Sequence, residues 1–297
     1  MCLVALAIDQ SRRFPLVVAS NRDEYFKRAT AALAWWTPKP GDPAILSGRD
    51  LESGGTWMGV TAQGRLALLT NVRGGLPIEP HAPSRGRIVS DWLAAREETG
   101  DFWMRTSLSG HNGFNLIAAD FRRGECFWAS NTHPYPQRLD RGLYGLSNGG
   151  LDAPWPKVNA LKSRLAASLS TANSADELAT QLFAALADRT LAADEALPQT
   201  GIPLAWERQL SPAFIGTPDQ TYGTRCSTLI ITEKAGRQPV THLYERSFDA
   251  NGEVAPLRRA LLRNWPPRYV EDDGNSRVEQ APVSEHDSAV SAAAAIA

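Results

Sequence analysis

Short apolar, β-branched runs broken by charged or glycine-containing turns recur along the first half of the chain, and each pair of runs predicts a β-hairpin. Residues 3–8 and 16–20 form the first pair, with a polar segment at 9–13 between them. A Pro/Gly-rich crossing at 37–43 leads to a second pair, 56–60 and 66–70, which turns at Gln63-Gly64. The period then changes. Over 85–98 the residues Ile88, Val89, Trp92 and Leu93 fall on one helical face, with Ser84 placed as a cap. A third hairpin follows over 114–119 and 125–129, then a strand at 143–147. Two amphipathic helices are predicted at 158–169 and 175–186, the second behind Ser174 as N-cap. A last hairpin joins 227–232 to 240–245 around Ala235-Gly236.

Consecutive hairpins with helices grouped between them predict an antiparallel α+β protein, sheet packed on sheet with helices outside, and not a doubly wound parallel sheet. The expected organisation is a single domain over 1–268. Beyond it, 269–297 is expected to be a disordered tail: from Glu271 onward the sequence is acidic and then Ser/Ala-rich, with no large apolar residue except isolated valines and Ile296.

Composition narrows the function. With 297 residues, 43% of them hydrophobic, the chain can bury a substantial core. Lys and Arg number 31 against 32 Asp and Glu, so no global field draws in nucleic acid or an anionic membrane. Three cysteines without CxxC spacing argue against a disulfide framework and a structural zinc site, and the five histidines show no metal-ligand spacing. No metal is expected. The first apolar run is interrupted by Asp9 and no run approaches the roughly 18 to 20 apolar residues of a membrane span, so the expected home is the cytoplasm. Oligomeric state is not legible.

The candidate chemistry starts at Cys2. Methionine before a small side chain is normally trimmed, which leaves a thiol and a free α-amine on one residue, a nucleophile with its own base. An unperturbed α-amine near pKa 7.7–8.0 and a thiol near 8.5 need only small shifts to react at neutrality. The run Asn21-Arg22-Asp23-Glu24 stands at the end of the strand expected to pair with that of Cys2, and brings a carboxylate, a cation and an amide to the same end. In an ideal strand Arg22 and Asp23 face opposite ways, so both address Cys2 only if the strand ends there. Other strand ends repeat the polar character: Asn71 and Arg73, Asn148, and Arg225. The two asparagines are candidate oxyanion donors, and the arginines candidate anion binders.

These residues carry a resemblance. The start Met1-Cys2, Asn21-Arg22-Asp23-Glu24, Gly48-Arg49-Asp50, Gly54-Gly55-Thr56-Trp57, Thr70-Asn71-Val72-Arg73-Gly74, Gly113-Phe114-Asn115, Gly145-Leu146-Ser147-Asn148 and Gly223-Thr224-Arg225 together resemble the NRDE family, also called the transport and Golgi organisation protein 2 family. The resemblance runs to about residue 250. It implies a four-layer αββα sandwich of antiparallel sheets, N-terminal-nucleophile-hydrolase-like. A more distant resemblance is to cysteine N-terminal-nucleophile amidases. On that comparison Cys2 corresponds to the nucleophile, Asp23 to the carboxylate of an Asn-x-Asp strand end, Asn148 and Asn71 to oxyanion amides and Arg225 to a late arginine; the activating arginine falls at Ser20, which makes Arg22 a displaced substitute.

Two functions are therefore expected in competition. One is a cysteine hydrolase of an amide or thioester of a small acyl compound, with Cys2, Asp23, Asn71 and Asn148 catalytic, Arg22, Arg73 and Arg225 binding substrate, and no cofactor required. The other is a non-catalytic carrier with haem or acyl-CoA as cargo.

Overall fold

A computed structural model describes residues 2–74 and 78–267. The expected 269–297 tail lies outside the described residues. Two antiparallel sheets pack face to face. The first contains β1 (Cys2–Ile8), β2 (Leu16–Tyr25), β10 (Gly142–Leu146), β11 (Tyr222–Glu233), β12 (Val240–Ser247) and β13 (Arg258–Arg263), in the order β10-β1-β2-β11-β12-β13. The second runs β3-β4-β5-β6-β7-β8-β9, from Thr30–Trp36, Ile45–Asp50, Met58–Thr61, Arg65–Asn71, Phe114–Asp120, Glu125–Ser130 and Gln137–Arg138 respectively.

Alternation along the strands builds three apolar layers. From the first sheet, Val4, Leu6, Val18 and Ile230 point inward against Trp57, Leu66, Leu68 and Ile117 of the second. Leu3, Ala5, Val17, Ala19 and Leu229 point the other way, onto α3 (Pro156–Thr171) and α4 (Ala175–Leu186). On the far side of the second sheet, Ala67, Leu116 and Ala118 meet Val89, Trp92 and Phe102 of α1 (Gly86–Ala94) and α2 (Thr99–Ser107). The result is helix, sheet, sheet, helix: the αββα sandwich that the resemblance implies. No helix among the described residues is long and apolar enough to cross a membrane.

The helices obey their sequence signals. Ser174 accepts a hydrogen bond from the Glu177 amide at 3.2 Å and the Glu177 carboxylate takes the Asn173 amide at 2.9 Å, so both ends of the α4 cap are satisfied. At α1 the N-cap residue is Arg85; Ser84 Oγ accepts the Gly86 amide at 3.3 Å from one position further out. The apolar period over 85–98 proves to be one helix, α1, that stops at Ala94, with a second, α2, following it.

Candidate active site

Cys2 opens β1 and pairs in register with Arg22 of β2, which in turn pairs with Cys226 of β11. By alternation the Cys2 side chain shares the face of Val4 and Leu6, between the sheets, and Arg22 projects to that same face. The Arg22 guanidinium donates to Asp50 Oδ2 at 3.1 Å and Thr30 Oγ1 at 3.2 Å, and lies 4.4 Å over the Trp57 ring. Strands from both sheets thus fix it. Burial pushes the Cys2 thiol up, and Arg22 pulls it back toward thiolate. Cys2 is 8% exposed.

β2 does not end at Asn21. It continues through Arg22, Asp23 and Glu24 to Tyr25, because β11 pairs along its full length. Asp23 therefore points to the helix side, opposite to Arg22, as does Asn21, whose amide donates to the Leu186 and Ala213 carbonyls at 2.8 Å each. There Asp23 Oδ1 accepts from Thr224 Oγ1 at 2.7 Å, and Thr224 Oγ1 accepts from the Ile215 amide at 2.9 Å. Facing Asp23 is Lys157, in the first turn of α3, its Nζ donating to the Leu210 carbonyl at 2.8 Å. Burial drives the Lys157 ammonium down to about 8, opposed chiefly by Asp23 and then by Cys2 and Glu207; burial raises Asp23, opposed chiefly by Lys157. Two oppositely charged groups thus share a water-poor space behind the first residue of β1.

The ends of β6 and β10 close the site from the other direction. Ser147 Oγ donates to the Cys2 carbonyl at 2.9 Å, and Thr70 Oγ1 to the Ser147 carbonyl at 2.6 Å. Asn148 Nδ2 donates to the Asn71 carbonyl at 2.8 Å, while the Arg73 amide donates to the Asn148 carbonyl at 2.7 Å. The Asn148 amide orientation follows from these bonds, with Oδ1 accepting from Ser147 at 3.3 Å. One of its two N–H protons is engaged by Asn71 and one is left for another acceptor. Asn71 and Asn148, 77 residues apart, thus meet beside Cys2 across the two sheets.

Of the expected anion binders, all three are held in place. Arg73 pairs with Glu207 at 2.7 Å and lies 4.7 Å over Trp155. Arg225, at the register shift of β11, donates from one nitrogen to the carbonyls of Tyr25, Phe26 and Arg28 at 3.0, 3.2 and 2.9 Å, clasping the turn between β2 and β3. Arg22 is bound to Asp50. Sequence reasoning missed Lys157, Glu207 and the part played by Asp50. A lysine directly before the first periodic apolar residue of α3, and beside Trp155, was the available signal for Lys157.

Hollows occur elsewhere among the described residues. A small one between the sheets is bordered by Gly48, Trp57, Thr228 and Glu245. A larger one, open to solvent, lies between α2 and the outer face of the second sheet, walled by Trp92, Phe102, Trp103 and Phe127. Neither borders Cys2.

Residues 1–250 match the family described as Transport and Golgi organisation 2. A Transport and Golgi organization 2 homolog of Mus musculus is 32% identical over 289 residues, spanning 91% of this chain and 96% of that protein. The Homo sapiens homolog is 30% identical over 297 residues, spanning 91% and 98%. Among solved structures, a Caenorhabditis elegans N-acylethanolamine-hydrolyzing acid amidase ortholog aligns over 77% of this chain and 92% of its own at 11% identity and TM-score 0.46. A conjugated bile acid hydrolase from Clostridium perfringens aligns over 88% and 92% at 10% identity and TM-score 0.44. At such scores the fold assignment rests on the layers and strand order described above.

Proposed function

The chain belongs to the Transport and Golgi organisation 2 family, whose name states no reaction, and we propose from its site that it is a cysteine N-terminal-nucleophile hydrolase of an amide or thioester of a small acyl compound. The observation that carries this reading is the register that sets Cys2 opposite Arg22 while Asn71 and Asn148 meet beside it. With Met1 removed, the α-amine of Cys2 takes the thiol proton as sulfur attacks the carbonyl carbon. The oxyanion gathers the free N–H of Asn148 and the Asn71 amide. Collapse breaks the C–N or C–S bond, the α-ammonium returns its proton to the leaving group, and the acyl group stays on sulfur. Water, deprotonated by the same amine, then releases the acid and frees the thiol. Asp23 and Lys157, on the helix side, fix the field in which the amine titrates, and Arg22 favours thiolate.

The test is an electrophilic acyl probe with peptide mapping. An adduct confined to Cys2, rising with pH and abolished by Cys2→Ser, is expected, together with an intact mass lacking Met1. A retained methionine, or equal labelling of Cys126 and Cys226, defeats the reading. The second reading, a carrier, is favoured by the aromatic hollow beneath α2. It lies in the opposite half of the sandwich from Cys2. Haem or acyl-CoA bound there survives Cys2→Ser and is lost in Trp103→Ala, which separates the two readings.

A further inference from the structure

The three arginines foreseen as anion binders are engaged by Asp50, Glu207 and backbone carbonyls. A fourth, Arg85, stands at the same strand ends, bound to one backbone carbonyl and to no carboxylate of the described residues. It caps α1, and its position is dictated from below: Gly55 packs so tightly on the first residue of the helix that an added Cβ would sit 1.8 Å from the Gly86 carbonyl oxygen, and the Thr56 amide donates to that oxygen at 3.1 Å. From there one guanidinium nitrogen donates to the Gly113 carbonyl at 2.8 Å, and the same carbonyl accepts the Val72 amide at 2.9 Å. Val72 lies between Asn71 and Arg73. The Arg85 guanidinium is thereby placed against the end of β6, next to the residue whose carbonyl holds Asn148.

Its environment is that of a half-built anion site. Arg85 is partly buried, and burial lowers its basicity, offset by the Glu24 carboxylate across the site. No carboxylate of the described residues comes within 4.0 Å of it. Glu24 leans instead toward Arg22 and Arg28, at 3.9 Å from each. Glu24, Asn71, Val72, Arg85 and Gly113 are all partly exposed and make up a rim of these strand ends, and the Glu24 carboxylate bears on both the Arg85 guanidinium and the buried Cys2 thiol. A partly desolvated guanidinium with unfilled donors on such a rim is suited to a carboxylate, which it takes in bidentate fashion.

Resting on the hydrolase reading, we infer that Arg85 binds a carboxylate on the acyl portion of the substrate, so that the preferred substrates are amides or thioesters of short dicarboxylic acids.

Two thioester probes of equal chain length test this on the full-length protein: S-glutaryl-N-acetylcysteamine, whose acyl chain ends in carboxylate, and S-valeryl-N-acetylcysteamine, which ends in methyl. The readout is the ratio of second-order acylation rates at Cys2, followed by mass spectrometry. The wild type is expected to prefer the glutaryl probe by about tenfold or more, with Arg85→Gln, which keeps a donor for Gly113, reducing that ratio about tenfold and Arg85→Lys only partly. A wild-type protein acylated by both probes without preference, or a preference unchanged in Arg85→Gln, overturns the inference and leaves the hydrolase reading standing. No acylation of Cys2 by either probe overturns both. Should Arg85→Gln melt early, salt decides: a wild-type preference that does not fall between about 0.05 and about 0.5 M NaCl overturns the assignment.

Discussion

Lys157 is 4% exposed and carries an ammonium group in a space it shares with Asp23. Its value near 8 in the fold lies below the 10.5 of a free side chain. Between those two values the unfolded chain holds more protons on this residue than the native one, so its contribution makes stability rise with pH across that window. Below about 8 both states are protonated and the cost of burying the charge is present in full. A single lysine contributes at most about 1.4 kcal/mol per pH unit. Denaturant melts of the wild type and of Lys157→Met at pH 7.5, 8.5 and 9.5 are expected to show wild-type stability gaining on the variant with each step. Parallel pH profiles would remove Lys157 as the titrating group. Acid behaviour follows from Asp23: burial raises its carboxyl, Lys157 opposes that rise, and in Lys157→Met the carboxyl therefore moves further up.

The element scale shows how far the chain announces its own fold. α4 was legible to the residue because an amphipathic period and a serine cap coincide. The hairpins were legible wherever both faces of a strand are apolar, as in β1, β6 and β7. β3 and β4 were not. β3 is an edge strand of alanines and tryptophans with a partly exposed pattern, and β4 carries Gly48 at its centre, a residue that normally argues against a strand. The reason is tertiary: a Cβ on Gly48 would fall 2.4 Å from the Trp57 ring, and Trp57 must lie there to stack on Arg22. The extension of β2 through Asn21-Arg22-Asp23-Glu24 was hidden in the same way, since pairing with β11 along all four, and with β1 at Asn21 and Arg22, is what keeps these polar residues extended. The residue types of the site were thus visible in the sequence, while the faces they take required the register. Two glycines that border or belong to the second sheet's helix layer respond oppositely to alanine. Gly55→Ala forces backbone against backbone at α1 and is expected to cost about 2–3 kcal/mol or more. Gly100→Ala, in the first turn of α2 with no atom within 4 Å of the added methyl, is expected to stabilise by about 0.5–1 kcal/mol. Thermal melts of the two variants in opposite directions would verify this; a shared direction would place the constraint elsewhere.

At the scale of the whole molecule, the sheets must be held at one separation for residues from both to surround Cys2. Strand ends near Cys2 do this through Thr70, Asn115 and Asn148, with Asn115 Nδ2 reaching the Gly149 carbonyl at 2.8 Å. Elsewhere in the sandwich the work falls to Trp265. It follows β13 of the first sheet, yet its indole donates to the carbonyl of Thr61, at the end of β5 in the second, at 2.8 Å. Thr241 of β12 donates to its backbone carbonyl at 2.6 Å, and its ring meets Phe121 edge-on at 5.4 Å. Fully buried, it fills the inter-sheet core and satisfies a polar group on each sheet. Trp265→Phe keeps most of the volume and removes one of two donors from the Thr61 carbonyl, which retains the Gly64 amide at 3.1 Å, a cost of about 0.5–1.5 kcal/mol. Trp265→Ala adds a cavity, for a total of about 3–5 kcal/mol. Because the inter-sheet core draws side chains from both sheets, the loss is expected to lower one shared transition, with far-UV and near-UV signals still coincident. Two separated transitions in Trp265→Ala would mean that the sheets are stable apart, and that the register of β1 on β2 survives without the second sheet. In that case acyl-probe labelling of Cys2 should persist between the transitions; if the site needs both sheets, labelling ends at the first.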